Sequence, residues 1–135
     1  MKLLKRFLIV LTVSGCALTS FSQQVPDETD KLITAALASG NATGLSNFFN
    51  SMIDLGITGN EDSYSKTQAT RILQEFFSKN PVKSYKVTKQ GNSNDGSHFS
   101  IGALDAGNKN FRVYYLLKKV DGHFLIQQLQ IQAEK

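Results

Sequence analysis

The chain has 135 residues, with fifteen Lys and Arg against eleven Asp and Glu, two His, one Cys and no Trp. That length suits one domain, and a single cysteine excludes an internal disulfide framework. Three of the basic residues, Lys2, Lys5 and Arg6, and none of the acids fall in the first 22 positions, so the rest carries twelve basic against eleven acidic residues and has no charge excess that argues for nucleic acid.

Residues 1–22 read as a signal peptide. Lys2, Lys5 and Arg6 precede an apolar run from Phe7 to Leu18 that is short for a bilayer span. Small residues at Ser20 and Ser22 suit cleavage between Ser22 and Gln23. The segment "VSGC" also resembles a lipobox, with Cys16 as the lipidated residue. Because the apolar run continues past Cys16, soluble secretion is the favoured expectation, and membrane attachment follows only if Cys16 is lipidated. Either route takes the protein out of the cytoplasm, to the periplasm or beyond. Residues 23–135 then form one domain without disulfides, long enough to rely on a hydrophobic core.

The first expected helix covers Thr29 to Ser39, with Leu32, Ile33, Ala36 and Leu37 on one face and Gly40 as its C-cap glycine. Asp27, Glu28 and Asp30 place negative charge at its start, where the helix dipole favours it. "NATGLSNFFNSM" reads as a short second helix, since Leu45, Phe48, Phe49 and Met52 recur at helical spacing. Ile53, Leu55 and Ile57 alternate with polar or small residues and predict a short strand, with Gly59-Asn60 as the turn after it. Ser65 and Gln68 form a capping-box pair ahead of the strongest helix, in which Ala69, Ile72, Leu73, Phe76 and Phe77 share a face and Asn80-Pro81 is the stop.

From Val82 the period becomes two. "VKSYKVTK", "SHFSIGALD", "FRVYYLLKKV" and "HFLIQQLQI" are four strands, separated by turn-rich links. Lys79, Lys83, Lys86 and Lys89 lie close together and suit a solvated strand or edge guarded against aggregation, which is favoured over an anionic-ligand patch. For the last hairpin a three-residue loop, Val120 to Gly122, keeps the apolar residues in phase. It sets Tyr115 opposite Gln127 and collects Tyr114, Leu116, Phe124 and Ile126 on the other face. The expected fold is α+β: three N-terminal helices and a short strand packed on a curved four-stranded antiparallel sheet.

The runs "GNEDSYSKTQATRILQEFF", "IGAL", "FRVYYLLKK" and "FLIQQLQI" together resemble a family of short exported bacterial proteins known only as a domain of unknown function. The resemblance covers Lys31 to Ile131. It implies the cystatin-like cone fold of the nuclear transport factor 2-like superfamily: a curved sheet around helices with a pocket at its mouth. It implies no activity, because that superfamily holds isomerases, dehydratases and many non-catalytic binding or assembly domains.

Read for chemistry, the residues are sparse. Asp54 sits opposite an apolar face and reads as solvated; His98 and His123 lie at hairpin ends and read as surface groups. No cluster has metal-ligand spacing, no cofactor is implied, and no catalytic residue is assigned. Tyr115 and Gln127 are the best inward-facing polar pair, with Asn60, Glu61, Tyr64 and Lys66 as candidate rim residues of the same pocket. Tyr114, Leu116, Phe124 and Ile126 are the candidate interface for a protein partner or a second copy. The expected role is a non-catalytic binding or assembly module for a small ligand or protein. The alternative is a small pocket enzyme of isomerase or dehydratase type, which a buried carboxylate or histidine in the pocket would favour.

Overall fold

The computed structural model describes residues 27–135. The expected cleavage between Ser22 and Gln23, and Cys16, lie outside the described residues. Helix α1 runs Asp27–Ser39, α2 Ala42–Ser46 and α3 Lys66–Lys79. The strands are β1 Phe49–Ile57, β2 Asn60–Ser65, β3 Val82–Asn92, β4 His98–Ala106, β5 Lys109–Val120 and β6 His123–Ala133. They form one six-stranded sheet in the order β2-β1-β6-β5-β4-β3. Every neighbouring pair is antiparallel except β1 with β6.

Local chemistry explains the helix ends. Gly40 has φ 64°, and the amides of Gly40 and Asn41 return to the carbonyls of Leu37 and Ala36, which closes α1 in a Schellman motif. Ser65 and Gln68 satisfy each other's backbone as a capping box at the start of α3. Both features follow the sequence expectation. Leu32 does not: it is 53% exposed, while Ile33, Ala36 and Leu37 are buried.

Two expectations about the first half are corrected. Helix α2 stops at Ser46, and Phe49 begins a strand instead of continuing a helix. Phe49 pairs with Ile126 on β6, and after an irregularity Leu55 and Ile57 pair with Leu129 and Ile131. A partner strand thus overrides the local helical spacing of Phe48, Phe49 and Met52. The polar stretch 60–65 is also a strand. Thr58 and Gly59, both at positive φ, make the two-residue turn, and Ile57 faces Asn60 across it. The sheet therefore has six strands, two more than the four expected in its main body.

The final hairpin differs in register. Gly122 has positive φ as expected, but so does Asp121, and Val120 pairs directly with His123. This is a two-residue turn. Such a turn alone would put apolar residues of β5 and β6 on opposite faces. A bulge repairs the phase: Leu117 faces Ile126, Leu116 faces Gln128, and Gln127 is the extra residue between them. Tyr115 consequently faces Leu129, not Gln127.

The helices cover one side of the sheet. Helix α1 lies on β3, and α3 lies on β1 and β2 with α2 against it. Ile33, Leu37, Leu45, Leu73, Phe76, Leu104, Val113, Leu117, Ile126, Leu129 and Ile131 form one continuous core between the layers. Burial of this apolar set is the main stabilising contribution, at about 25 cal/mol per Å² removed from water.

Candidate functional site

Polar side chains converge at two ends of the layer between helices and sheet, and only one of the two is open. At the first end α1 delivers Asp30, which lies one turn before Ile33 and two before Leu37 on the buried helix face. The Tyr115 hydroxyl, on β5, donates to Asp30 Oδ1 at 2.6 Å. His98 Nε2, on β4, lies 2.6 Å from Asp30 Oδ2, a close contact that lacks good hydrogen-bond alignment. On the other side of the ring, Nδ1 is 2.7 Å from Asn92 Oδ1. An amide oxygen only accepts, so Nδ1 carries a hydrogen.

Tyr85 and Ser100 complete this cluster. Burial pushes the Tyr85 phenol up to about 12, tempered by Ser100 and reinforced by the Asp30 charge. Tyr115 is pushed up further, first by burial and then by its hydrogen bond to Asp30. Ser100 lies near enough to favour both phenolates, yet its Oγ and the Tyr85 hydroxyl have no aligned partner. The Tyr85 ring occupies the space over Gly102, where a Cβ would come within 2.3 Å of its hydroxyl. That glycine is required by close approach, since a side chain there would displace the ring. The two tyrosines thus fill this end of the interior. A shallow groove of ≈ 380 Å³ between α1 and β3 touches Asp30, with Lys31, Thr34, Val87 and Gln90 around it.

The second end is open. A cleft of ≈ 500 Å³ lies between the β1–β2 hairpin and α3. Leu55, Ile57, Ile72 and Phe76 give it an apolar floor, and Asn60, Tyr64, Glu75, Lys79 and Asn80 supply polar groups around it. Glu75 and Lys79 are paired at 2.9 Å on the exposed rim. Because β2 alternates, Asn60 and Tyr64 face this cleft while Glu61 faces the outer side of the sheet. There Glu61 crosses Gly56 and accepts from Gln128 Nε2 at 3.1 Å and Gln130 Nε2 at 3.2 Å.

The candidate pocket residues therefore separate. Asn60 and Tyr64 line the cleft; Glu61 is on the opposite face; Lys66 borders a different depression beside Thr70 and Gln74. Tyr115 is in the sealed cluster. Gln127 is half-buried and accepts from Asn50 Nδ2 at 3.1 Å, so it makes no pair with Tyr115. The candidate interface also changes. Ile126 is fully buried in the core because the two-residue turn pairs it with inward-facing Leu117, and Phe124 packs partly on the core with Lys119 over its ring. Tyr114 and Leu116 stay half-buried on the outer face.

His98 is a correction too. It is 4% exposed, not a surface histidine. Its position in β4 carried a signal: His98, Ser100, Gly102, Leu104 and Ala106 alternate on one buried face. Asp30 had one as well, in its spacing to Ile33 and Leu37. Asp54 and His123 are exposed as expected, and Asp54 accepts from the Ser63 hydroxyl. Among the described residues, no three His, Cys, Asp or Glu converge as metal ligands.

A curved sheet backed on one side by three helices, with polar groups at the ends of the layer, is an α+β fold similar to those of nuclear transport factor 2-like and cystatin-like proteins. A protein from Silicibacter pomeroyi, described as NTF-2 like and of unknown function, superposes with a TM-score of 0.59 over 80% of this chain and 92% of its own, at 10% identity. A Nostoc punctiforme domain of unknown function with a cystatin-like fold superposes with a TM-score of 0.63, over 80% and 74%, at 12% identity. The chain belongs to the DUF4783 family, a domain of unknown function, whose family model matches residues 31–132. A DUF4783 family protein from Bacteroides ovatus is 36% identical, with a TM-score of 0.74 over 77% of this chain and 94% of its own. No curated protein matches the chain in sequence.

Proposed function

We propose that this is an exported, non-catalytic binding module that holds a small, partly apolar ligand in the cleft between α3 and the β1–β2 hairpin. One observation carries the reading: the Asp30 and His98 pair is buried, with a shallow groove reaching only Asp30, whereas the open cleft is shaped for contact. Asp30 Oδ1 accepts from Tyr115, His98 Nδ1 meets Asn92, the two remaining polar atoms lie against each other in the interior, and Tyr85 and Tyr115 fill the space beside them. The cleft, by contrast, combines an apolar floor with a few convergent polar groups, the usual make-up of a small-molecule site. Its ligand has an apolar body that rests on Ile57, Ile72 and Phe76 and a hydrogen-bonding end that meets Asn60, Tyr64 or Asn80. The leader-like residues 1–22 support export.

The enzyme alternative draws on one observation of its own, the carboxylate and imidazole buried together at the α1 end. Native mass spectrometry of protein purified from its own envelope separates the two. The expected result is an added small-molecule mass on the wild type that disappears in Ile72→Glu and persists in Asp30→Asn. A mass lost in Asp30→Asn but retained in Ile72→Glu moves the site to the α1 end. Wild type free of ligand in every preparation overturns the binding module.

A further inference from the structure

The cleft beside α3 does not end at Ile72. A second depression of ≈ 260 Å³ is lined by Tyr64, Gln68, Arg71, Ile72 and Glu75, and it shares Tyr64, Ile72 and Glu75 with the cleft. The two form one groove along the exposed side of α3. Gln68, Arg71, Ile72, Glu75, Phe76 and Lys79 recur at helical spacing as its α3 lip, over about 17 Å of helix. The charges along that lip are not equivalent. Glu75 is paired with Lys79 at 2.9 Å. Arg71 is exposed and, among the described residues, makes no ion pair. Gln68 lies on the same lip; its Oε1 accepts from the amide and hydroxyl of Ser65, which leaves the Gln68 amide nitrogen to donate. Asp62 falls between Asn60 and Tyr64 in β2, but it accepts from the amide of Ser63 at 2.8 Å and borders neither depression.

Given a ligand in the cleft, as proposed above, we infer that this ligand is a small amphipathic carboxylate. Its carboxylate sits on Arg71 and Gln68, and its apolar chain runs past Tyr64 and Ile72 onto Ile57 and Phe76. A guanidinium is a planar fork that grips both oxygens of a carboxylate, and such charge-assisted bonds are about twice as strong as neutral ones. Tyr64 borders both depressions, so its ring is in reach of the chain and its hydroxyl is in reach of the head. A cationic head is disfavoured, because Glu75 already holds Lys79 and Arg71 would repel it. The length of the groove favours an extended chain over a compact ring system.

Isothermal titration calorimetry tests this on protein purified from its own envelope and freed of lipid, with octanoate and octanol as probes. Octanoate should bind about tenfold more tightly than octanol. Arg71→Gln should weaken octanoate by about tenfold and leave octanol within about twofold. Lys66→Gln removes a charge from the same helix outside the groove and should change neither. Equal affinity for the two probes, with both lost in Ile72→Glu, overturns the carboxylate and leaves the cleft as a binding site. Octanoate weakened as much by Lys66→Gln as by Arg71→Gln places the anion in the depression that these two residues share on the other side of α3, and overturns the assignment as well. Both probes unaffected by Ile72→Glu would overturn the cleft itself. No octanoate binding at millimolar concentration overturns the carboxylate, and an envelope-derived mass on the purified protein then still reports separately on the cleft.

Discussion

The α1 end and the hairpin end are built from similar residues and behave differently. Each has a carboxylate with two partners: Asp30 with Tyr115 and His98, and Glu61 with Gln128 and Gln130. Asp30 is 7% exposed, so water cannot replace a partner that is removed. Glu61 is exposed, and water can. Residue type does not separate a structural clasp from a wet surface network; access to water does, because an unpaired polar group is costly only where it is dehydrated.

The sharpest way to break this comparison is to remove each carboxylate in turn. Asp30→Ala leaves the Tyr115 hydroxyl and His98 buried without their partner and should destabilise the fold by roughly 3–5 kcal/mol in urea denaturation. Glu61→Ala should cost within about 0.5 kcal/mol, as expected of an exposed site. Equal losses at the two positions would show that burial is not the deciding variable.

Alkaline pH probes the same end more gently. The Tyr85 phenol is held from its ordinary 10.0 up to about 12 in the fold. A group whose folded value is raised contributes stability that is whole below the unfolded value and is lost as pH climbs through the folded one. Stability should therefore begin to fall near pH 10 and lose ~2 kcal/mol by pH 12 from this group alone. Tyr85→Phe should flatten that part of the profile; an unchanged slope would mean the phenol is not dehydrated.

A smaller effect than either of those at the α1 end belongs to the start of α3, at the hairpin end. Ser65→Ala removes the hydroxyl that accepts from the Gln68 amide at 3.2 Å and should cost about 1 kcal/mol by thermal or urea unfolding. No measurable loss would mean that water or Gln68 alone satisfies the first turn of α3.

Much of the fold was legible because it rests on local rules. The Ser65 to Gln68 capping box, the stripe from Ala69 to Phe77, the αL glycine after α1 and the period-two strands after Val82 all depend on residues close together in the chain. The β1 strand was less so. Phe48, Phe49 and Met52 suit a helix locally, and only pairing with β6, more than seventy residues away, makes Phe49 a strand residue. Around the cleft, Asn60 and Tyr64 are rim residues that the sequence suggests and the cleft lining includes, while the sequence does not show that Asp30 and His98 lie together in the interior. Helix-dipole chemistry accounted for Asp30 and a nearby turn for His98, and each has a second environment that sequence proximity does not reveal.

The sequence by itself determined the α+β class, the helix caps, the strands of the C-terminal meander and the left-handed Gly122, because these follow from periodicity and from the φ that particular residues tolerate. Tertiary structure alone decided the facing of the strands. The tight Asp121-Gly122 turn pairs Ile126 with Leu117 and so faces it inward, and the bulge at Gln127 then shifts the phase by one residue, which keeps Leu129 and Ile131 inward opposite Tyr115 and Val113 and leaves Tyr114 and Leu116 outside. With a side-chain period of two, a single extra residue exchanges the two faces, and its location is set by what the opposite strand and the helices must bury.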